Sequence, residues 1–205
     1  MSDVRVRVTF AGSGDASGSG GRFQACLHIE RGPGPPFLIL DDQFARRTGP
    51  LVVAGPRGPR QRLTGAMEVF YPGSTGVRRK FDVDVAELCP DRPIRVTDID
   101  VRAWKVDHPR GAPASALRLN INGVVVAHTG DTAWTEAIPR AAAGADLLVA
   151  EAYILDTLND HRNEVDCERI VVTPMPAGLL ANLEHAVFET AHDDMTIELS
   201  EGARG

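Results

Sequence analysis

The chain has little cysteine, almost no lysine, few aromatics and no long apolar run. Its three cysteines, Cys26, Cys89 and Cys167, are odd in number, far apart and never in a Cys-x-x-Cys pair. That excludes a disulfide framework and a cysteine-only zinc site, and leaves free thiols of a reducing, cytoplasmic compartment as the expectation. No stretch approaches ~20 apolar residues, so neither a membrane span nor a membrane partner is expected. Residues 1–10 contain no apolar stretch of signal-peptide length. Lysine occurs only at Lys80 and Lys105, so nearly every cation is arginine. The net charge of -6 argues against nucleic acid as a general partner, though it leaves room for a local basic patch.

What is present suits a folded protein. The 205 residues are 43% hydrophobic and 24% charged, enough for one core and a single domain spanning 1–205. Residues 4–10 alternate apolar and polar, as a half-buried strand does, and 23–29 read as its hairpin partner across a Gly/Ser loop. Residues 31–36 are a Gly/Pro breaker cluster, and 37–47 suit a short helix. Residues 51–54 read as a short buried strand and 61–70 as a helix. Strands are expected at 81–88, 94–96 and 99–106. Asn122-Gly123, between apolar runs at 116–121 and 124–127, is a strong two-residue hairpin signal. Then come a helix at 135–142 with Thr135 as cap, a strand at 147–150 and a helical connection over 156–165. A strand at 170–173, a helix at 177–185 and a strand at 195–199 close the chain. Strands first, then strands alternating with helices, indicate a layered mixed α/β fold.

The glycines Gly12-x-Gly14-x-x-x-Gly18 do not have the spacing of a dinucleotide loop, and a strand rather than a helix follows them. A loop between paired strands accounts for them. Asp15 within it reads as a turn former.

Four segments carry a family resemblance. The first is Thr9-Phe10-Ala11-Gly12-Ser13-Gly14-Asp15-Ala16 with Gly18-Ser19-Gly20-Gly21-Arg22-Phe23, and the second is Thr129-Gly130-Asp131-Thr132-Ala133-Trp134. The third is His108-Pro109 with Ala112-Pro113 and the strand around Leu117-Arg118. The fourth is Ala145-Asp146-Leu147-Leu148-Val149-Ala150-Glu151-Ala152. In this order they resemble the metallo-β-lactamase-fold hydrolases, closest to the ribonuclease Z-like and arylsulfatase-like branch. The resemblance implies an αββα sandwich of two mixed β-sheets with outer helices. It also implies zinc, which lowers the pKa of a bound water and polarises the scissile bond.

The ligand set that the resemblance implies is largely missing. No His-x-His-x-Asp-His occurs, and the chain passes from His28-Ile29-Glu30 through the breaker cluster directly into Phe37-Leu38-Ile39-Leu40-Asp41-Asp42-Gln43-Phe44. A block near residues 30–36 is therefore expected to be absent, giving a truncated sandwich. A second gap falls between Ala152 and His161. Pro174 stands where the family has its last histidine. His108 matches the isolated later histidine and Asp131 the bridging carboxylate. Asp131 reads two ways, as a remnant catalytic and metal-binding acid or as a loop acid that accepts backbone N–H groups.

The remaining histidines have ordinary readings: His28 packed on a strand, His161 on a solvated face, His185 and His192 beside acids. His128 or Glu151 could substitute as ligands in a reduced site. The functional expectation is a metal-dependent hydrolase homologue with impaired catalysis and weak or absent zinc. The alternatives are a non-catalytic partner of an intact homologue, a reduced-site hydrolase of phosphodiesters or esters, and a shortened gene product without its own function. Strand 23–29 would lose a neighbour to the missing block, so a homodimer or association with a homologue is expected.

Overall fold

A computed structural model of the chain describes residues 6–13, 26–31, 49–79, 81–108, 113–173 and 188–200, apart from the side chain of Ala152. The strands in chain order begin with β1 (Val6–Gly12), β2 (Cys26–Arg31), β3 (Leu51–Gly55), β4 (Val83–Glu87), β5 (Ile94–Val96) and β6 (Ile99–Lys105). They continue with β7 (Ser115–Ile121), β8 (Val124–His128), β9 (Ala145–Ala150), β10 (Cys167–Val172), β11 (Glu189–Thr190) and β12 (Thr196–Leu199). The α-helices among the described residues are α1 (Pro59–Phe70), α2 (Ala137–Ala142) and α3 (Leu155–Asp160).

The central strands explain the layering. β9 is buried at every position. Its Leu147 and Val149 join one apolar cluster, and Leu148 and Ala150 join another on the opposite face. A strand covered on both faces reads as a continuous apolar run, which is what 147–150 shows; Asp146 before it is buried and accepts the Val125 N–H at 2.6 Å. The first cluster lies between two sheets. β1 contributes Val6, Val8 and Phe10, all fully buried, and β8 contributes Val124 and Val126. The second lies outside the larger sheet and is closed by Ile138 and Ala142 of α2 and Leu158 of α3.

The larger sheet runs β11-β10-β9-β8-β7-β6-β5 and the smaller runs β12-β1-β2. β8, β9 and β10 are parallel. β6 is antiparallel to β7, which is antiparallel to β8, so β6 also runs in their direction. The carboxyl ends of β6, β8, β9 and β10 therefore meet at one edge, where α/β sheets place their sites. A third, two-stranded sheet pairs β3 with β4 in parallel, with α1 between them in sequence. It is tied to the rest by Leu88, which packs against Val101 and Ala103 of β6.

Most expected elements are present. The expected hairpin forms antiparallel pairs from Leu117↔His128 to Ile121↔Val124, with Asn122 at φ 54° and Gly123 at φ 87°. Those angles are the positive values a two-residue hairpin turn needs. The 4–10 and 23–29 strands pair antiparallel, as Val8↔Ile29 and Phe10↔Leu27 show. Three expectations are corrected. Strand 51–54 is only partly buried, and among the described residues its one partner is β4. Thr135 does not cap α2 with its hydroxyl: the helix begins at Ala137, and the bond to Ile138 N–H comes from the Thr135 carbonyl at 3.0 Å. His161 does not simply face solvent, since its ring stacks on Trp134 at 4.7 Å between centroids. The helices expected at 37–47 and 177–185, the breaker cluster at 32–36, Pro174 and His185 lie outside the described residues.

Candidate functional site

Five buried polar residues, Ser13, Thr129, Thr132, Glu151 and Thr173, lie at or near the converging strand ends. Each position follows from where its strand stops. Thr129 follows β8, Glu151 follows β9, Thr173 follows β10 and Ser13 follows β1. Buried hydroxyls and carboxylates cost free energy unless bonded, and here they bond across strand ends.

The loop after β8 is held most tightly. Thr129 N–H donates to the Val149 carbonyl at 3.0 Å. Its hydroxyl accepts the Glu151 N–H at 2.9 Å and donates to the Gly130 carbonyl at 2.9 Å. Gly130 takes φ +66°, and a Cβ there would lie 2.9 Å from the Ser115 carbonyl oxygen. Only glycine fits that close approach without strain. Thr173 N–H donates to the Ala150 carbonyl at 2.8 Å, and its hydroxyl donates to the Ser13 carbonyl at 3.2 Å. Ser13 donates both its N–H and its hydroxyl to Asp193 Oδ1, at 2.9 and 2.7 Å.

The two remnant ligand positions, His108 and Asp131, come to this same edge. Ala133 N–H donates to the Asp107 carbonyl at 2.8 Å, and the Thr132 hydroxyl lies 3.2 Å from the same oxygen. The segment carrying His108 is thus bound to the loop carrying Asp131. His108 is half-buried and Asp131 is exposed.

His128 is the histidine that the geometry describes best. Along β8, Val124 and Val126 face the inter-sheet core, so His128 does too by strand alternation. Burial pulls its imidazole below the ordinary range, and the charge of Asp131 opposes that shift. Its Nδ1 accepts the Gly130 N–H at 3.0 Å. While that bond stands, the Nδ1 lone pair is occupied by the backbone.

A cavity of about 350 Å3 opens between the sheets beside these groups. Leu27 and Ile29 of β2 and Leu117, Leu119 and Val126 of the larger sheet line it, with His128, Asp131 and Thr173 at its polar parts. It is a largely apolar cleft.

Among the described residues the donor set does not make up a zinc centre. Catalytic zinc takes about three protein ligands and an open position. Among the described residues, no three His, Cys, Asp or Glu side chains are grouped to hold a metal ion. His128 is turned to its Gly130 bond, and Glu151 Oε1 accepts the Tyr153 N–H at 3.2 Å.

Sequence reasoning named Asp131, His108, His128 and Glu151, and the structure places all four at or near the converging strand ends. That reasoning missed the Ser13–Asp193 and Thr129–Glu151 bonds. Ser13 and Thr129 fall within the family-like segments, which was the available signal, but their partners are remote in sequence.

Two β-sheets stacked on a shared core, helices outside the larger one and a site at the strand ends define the metallo-β-lactamase fold. Comparison with solved structures agrees. The chain is similar to the metallo-β-lactamase fold protein YhfI from Bacillus subtilis, with 16% identity and a TM-score of 0.62, over 95% of this chain and 100% of that one. It is similar to the short form of human tRNase Z (ELAC1), with 17% identity and a TM-score of 0.63, over 93% and 98% of the two chains. Zn2+-bound PqqB from Methylobacterium extorquens aligns with 13% identity and a TM-score of 0.60, over 94% and 100%. No protein-family model and no curated protein sequence matches the chain.

Proposed function

We propose that this chain is a homologue of the metal-dependent hydrolases of its fold, with catalysis impaired by loss of the metal centre. The observation that carries the reading is the His128–Gly130 bond. It engages Nδ1 of His128 with a backbone N–H, so that this lone pair is taken up within the loop. The sequence supports it further, since no His-x-His-x-Asp-His occurs and Pro174 has no side-chain donor. Without a metal to lower the pKa of water, hydroxide near neutral pH is scarce and hydrolysis slow. Asp131 acts in this reading as a loop acid rather than a bridging ligand.

The test is turnover of bis(p-nitrophenyl) phosphate and p-nitrophenyl acetate with and without added zinc. Negligible turnover, unchanged by Asp131→Ala, is expected. Zinc-dependent turnover abolished by Asp131→Ala would instead establish a reduced-site hydrolase using His108 and Asp131.

A second element of the reading is association with another copy or a homologue. Among the described residues β2 pairs on one side only, with β1, while Leu27 and Ile29 face the apolar cleft. An edge and a cleft of that kind invite another chain. Light scattering coupled to size exclusion tests this: a dimer or a complex is expected, and a stable monodisperse monomer contradicts it. The three free cysteines support a reducing, cytoplasmic setting.

A further inference from the structure

Four of the five exposed large apolar side chains among the described residues fall within nine positions: Val69, Phe70, Tyr71 and Val77. The first three are 76, 75 and 72% exposed. They end α1 and open the turn that follows it. Helical spacing explains the exposure. Arg62, Ala66 and Val69 form an i, i+4, i+7 row on the outer side, with Phe70 next to it, and all are exposed. Leu63 and Met67 turn inward and are half-buried.

The same segment concentrates cations. Between positions 57 and 80 stand Arg57, Arg60, Arg62, Arg78, Arg79 and Lys80, with Glu68 as the lone carboxylate. Glu68 is engaged within the segment: it accepts the Gly73 N–H at 2.8 Å, the Thr75 N–H at 3.1 Å and the Thr75 hydroxyl. Arg79 reaches Met67 Sδ at 3.8 Å and the Ser74 carbonyl at 3.4 Å. Among the described residues, none of these five arginines forms an ion pair with a carboxylate. The rest of the chain carries its negative balance, so the overall charge of -6 conceals a basic region.

We propose that the outer face of α1 and the turn after it dock on an anionic lipid surface. Val69, Phe70, Tyr71 and Val77 enter the interface, and the arginines meet headgroup phosphates. The mixture of side chains selects this occupant. Single-stranded nucleic acid would engage the arginines and stack on Phe70 and Tyr71, but would leave Val69 and Val77 in water. A second copy meeting this face across a two-fold axis would set the arginines against each other. An anionic leaflet satisfies both chemistries, because aromatic rings favour the headgroup level and basic residues are drawn to its negative potential. Among the described residues no helix is long and apolar enough to cross a membrane; the proposed contact is peripheral.

The experiment is co-sedimentation of the full chain with phosphatidylcholine vesicles, with and without phosphatidylserine, at low and high salt. Binding only to phosphatidylserine vesicles, weakened by salt, is expected. A Phe70→Ser, Tyr71→Ser double variant weakens binding about tenfold or more. Arg62→Glu and Arg78→Glu each weaken it roughly fivefold or more. All four side chains are exposed, so thermal melts should remain those of the wild type and separate lost docking from lost folding. Equal binding to neutral vesicles, no binding, or binding indifferent to these substitutions would overturn the proposal. So would retention of a single-stranded RNA, or a change of mass in light scattering in the double variant, without vesicle binding.

Discussion

Replacing Gly130 by alanine should unfold the carboxyl edge of the sheet more than its single added methyl suggests. Two independent costs combine. The residue sits at φ +66°, and holding a non-glycine residue in that region costs about 1–3 kcal/mol. The new Cβ would also lie 2.9 Å from the carbonyl oxygen of Ser115, a backbone atom of β7 that cannot swing aside. Overpacking of that kind costs about 1–3 kcal/mol. Partial relaxation makes the costs less than additive, so about 2–4 kcal/mol is expected for Gly130→Ala. For a chain of this length that lowers Tm by roughly 4–16 °C. Gly65 supplies the control. It lies inside α1, and a Cβ there would meet nothing within 4 Å. Gly65→Ala should stabilise the protein by about 0.5–1 kcal/mol, because alanine suits a helix interior better. The assay is thermal and urea denaturation followed by circular dichroism on both variants and the wild type. Opposite signs are expected. A Gly130→Ala protein melting within a degree of the wild type would refute the close approach, and with it the placement of the Asp131 loop.

Two further outcomes follow from the ionisable groups. Glu189 accepts two bonds from Arg169, at 2.7 and 2.6 Å; these bonds, with burial opposing and the Arg169 charge assisting, hold its carboxyl below the usual range. A depressed carboxylate stabilises the fold above its unfolded pKa, and that stability is lost as pH falls through the folded value. The pair is well exposed, so Glu189→Gln should cost up to about 1 kcal/mol at neutral pH, a gap that closes below roughly pH 4 in urea titrations. A gap that persists in acid would contradict the pairing. Cys167 is pushed up to about 11, chiefly by burial, with Arg162 opposing and Asp166 adding. Its labelling by iodoacetamide, read by mass spectrometry, should be slow at neutral pH and rise steeply only in strong alkali; rapid neutral labelling would show an accessible thiolate.

The fold was legible where the pattern is local. Asn122-Gly123 between two apolar runs specifies a hairpin by its turn chemistry alone, and the apolar run of β9 announces a strand buried on both faces. The site was legible only in part. Asp131 and His108 stood out through the family-like segments around them. The bonds that close the same edge did not: Ser13 and Asp193 are 180 positions apart, and Thr173 and Ser13 are 160 apart. Serine, threonine and aspartate are too common for sequence alone to pair them at such distances. The bond to His128 Nδ1 was equally hidden, because it depends on the backbone N–H of Gly130. The basic apolar end of α1 was lost in averages, since neither its local charge nor the exposure of Phe70 and Tyr71 appears in the composition.

The central claim is that the fold has kept its strand-end architecture while losing its metal centre. The most direct measurement is the zinc content of the purified chain, by inductively coupled plasma mass spectrometry before and after dialysis against a chelator. Zinc well below one ion per chain, removed by the chelator and no lower in His108→Ala, is the expected result. Stoichiometric zinc that survives dialysis and disappears in His108→Ala would contradict the claim and restore a metallohydrolase.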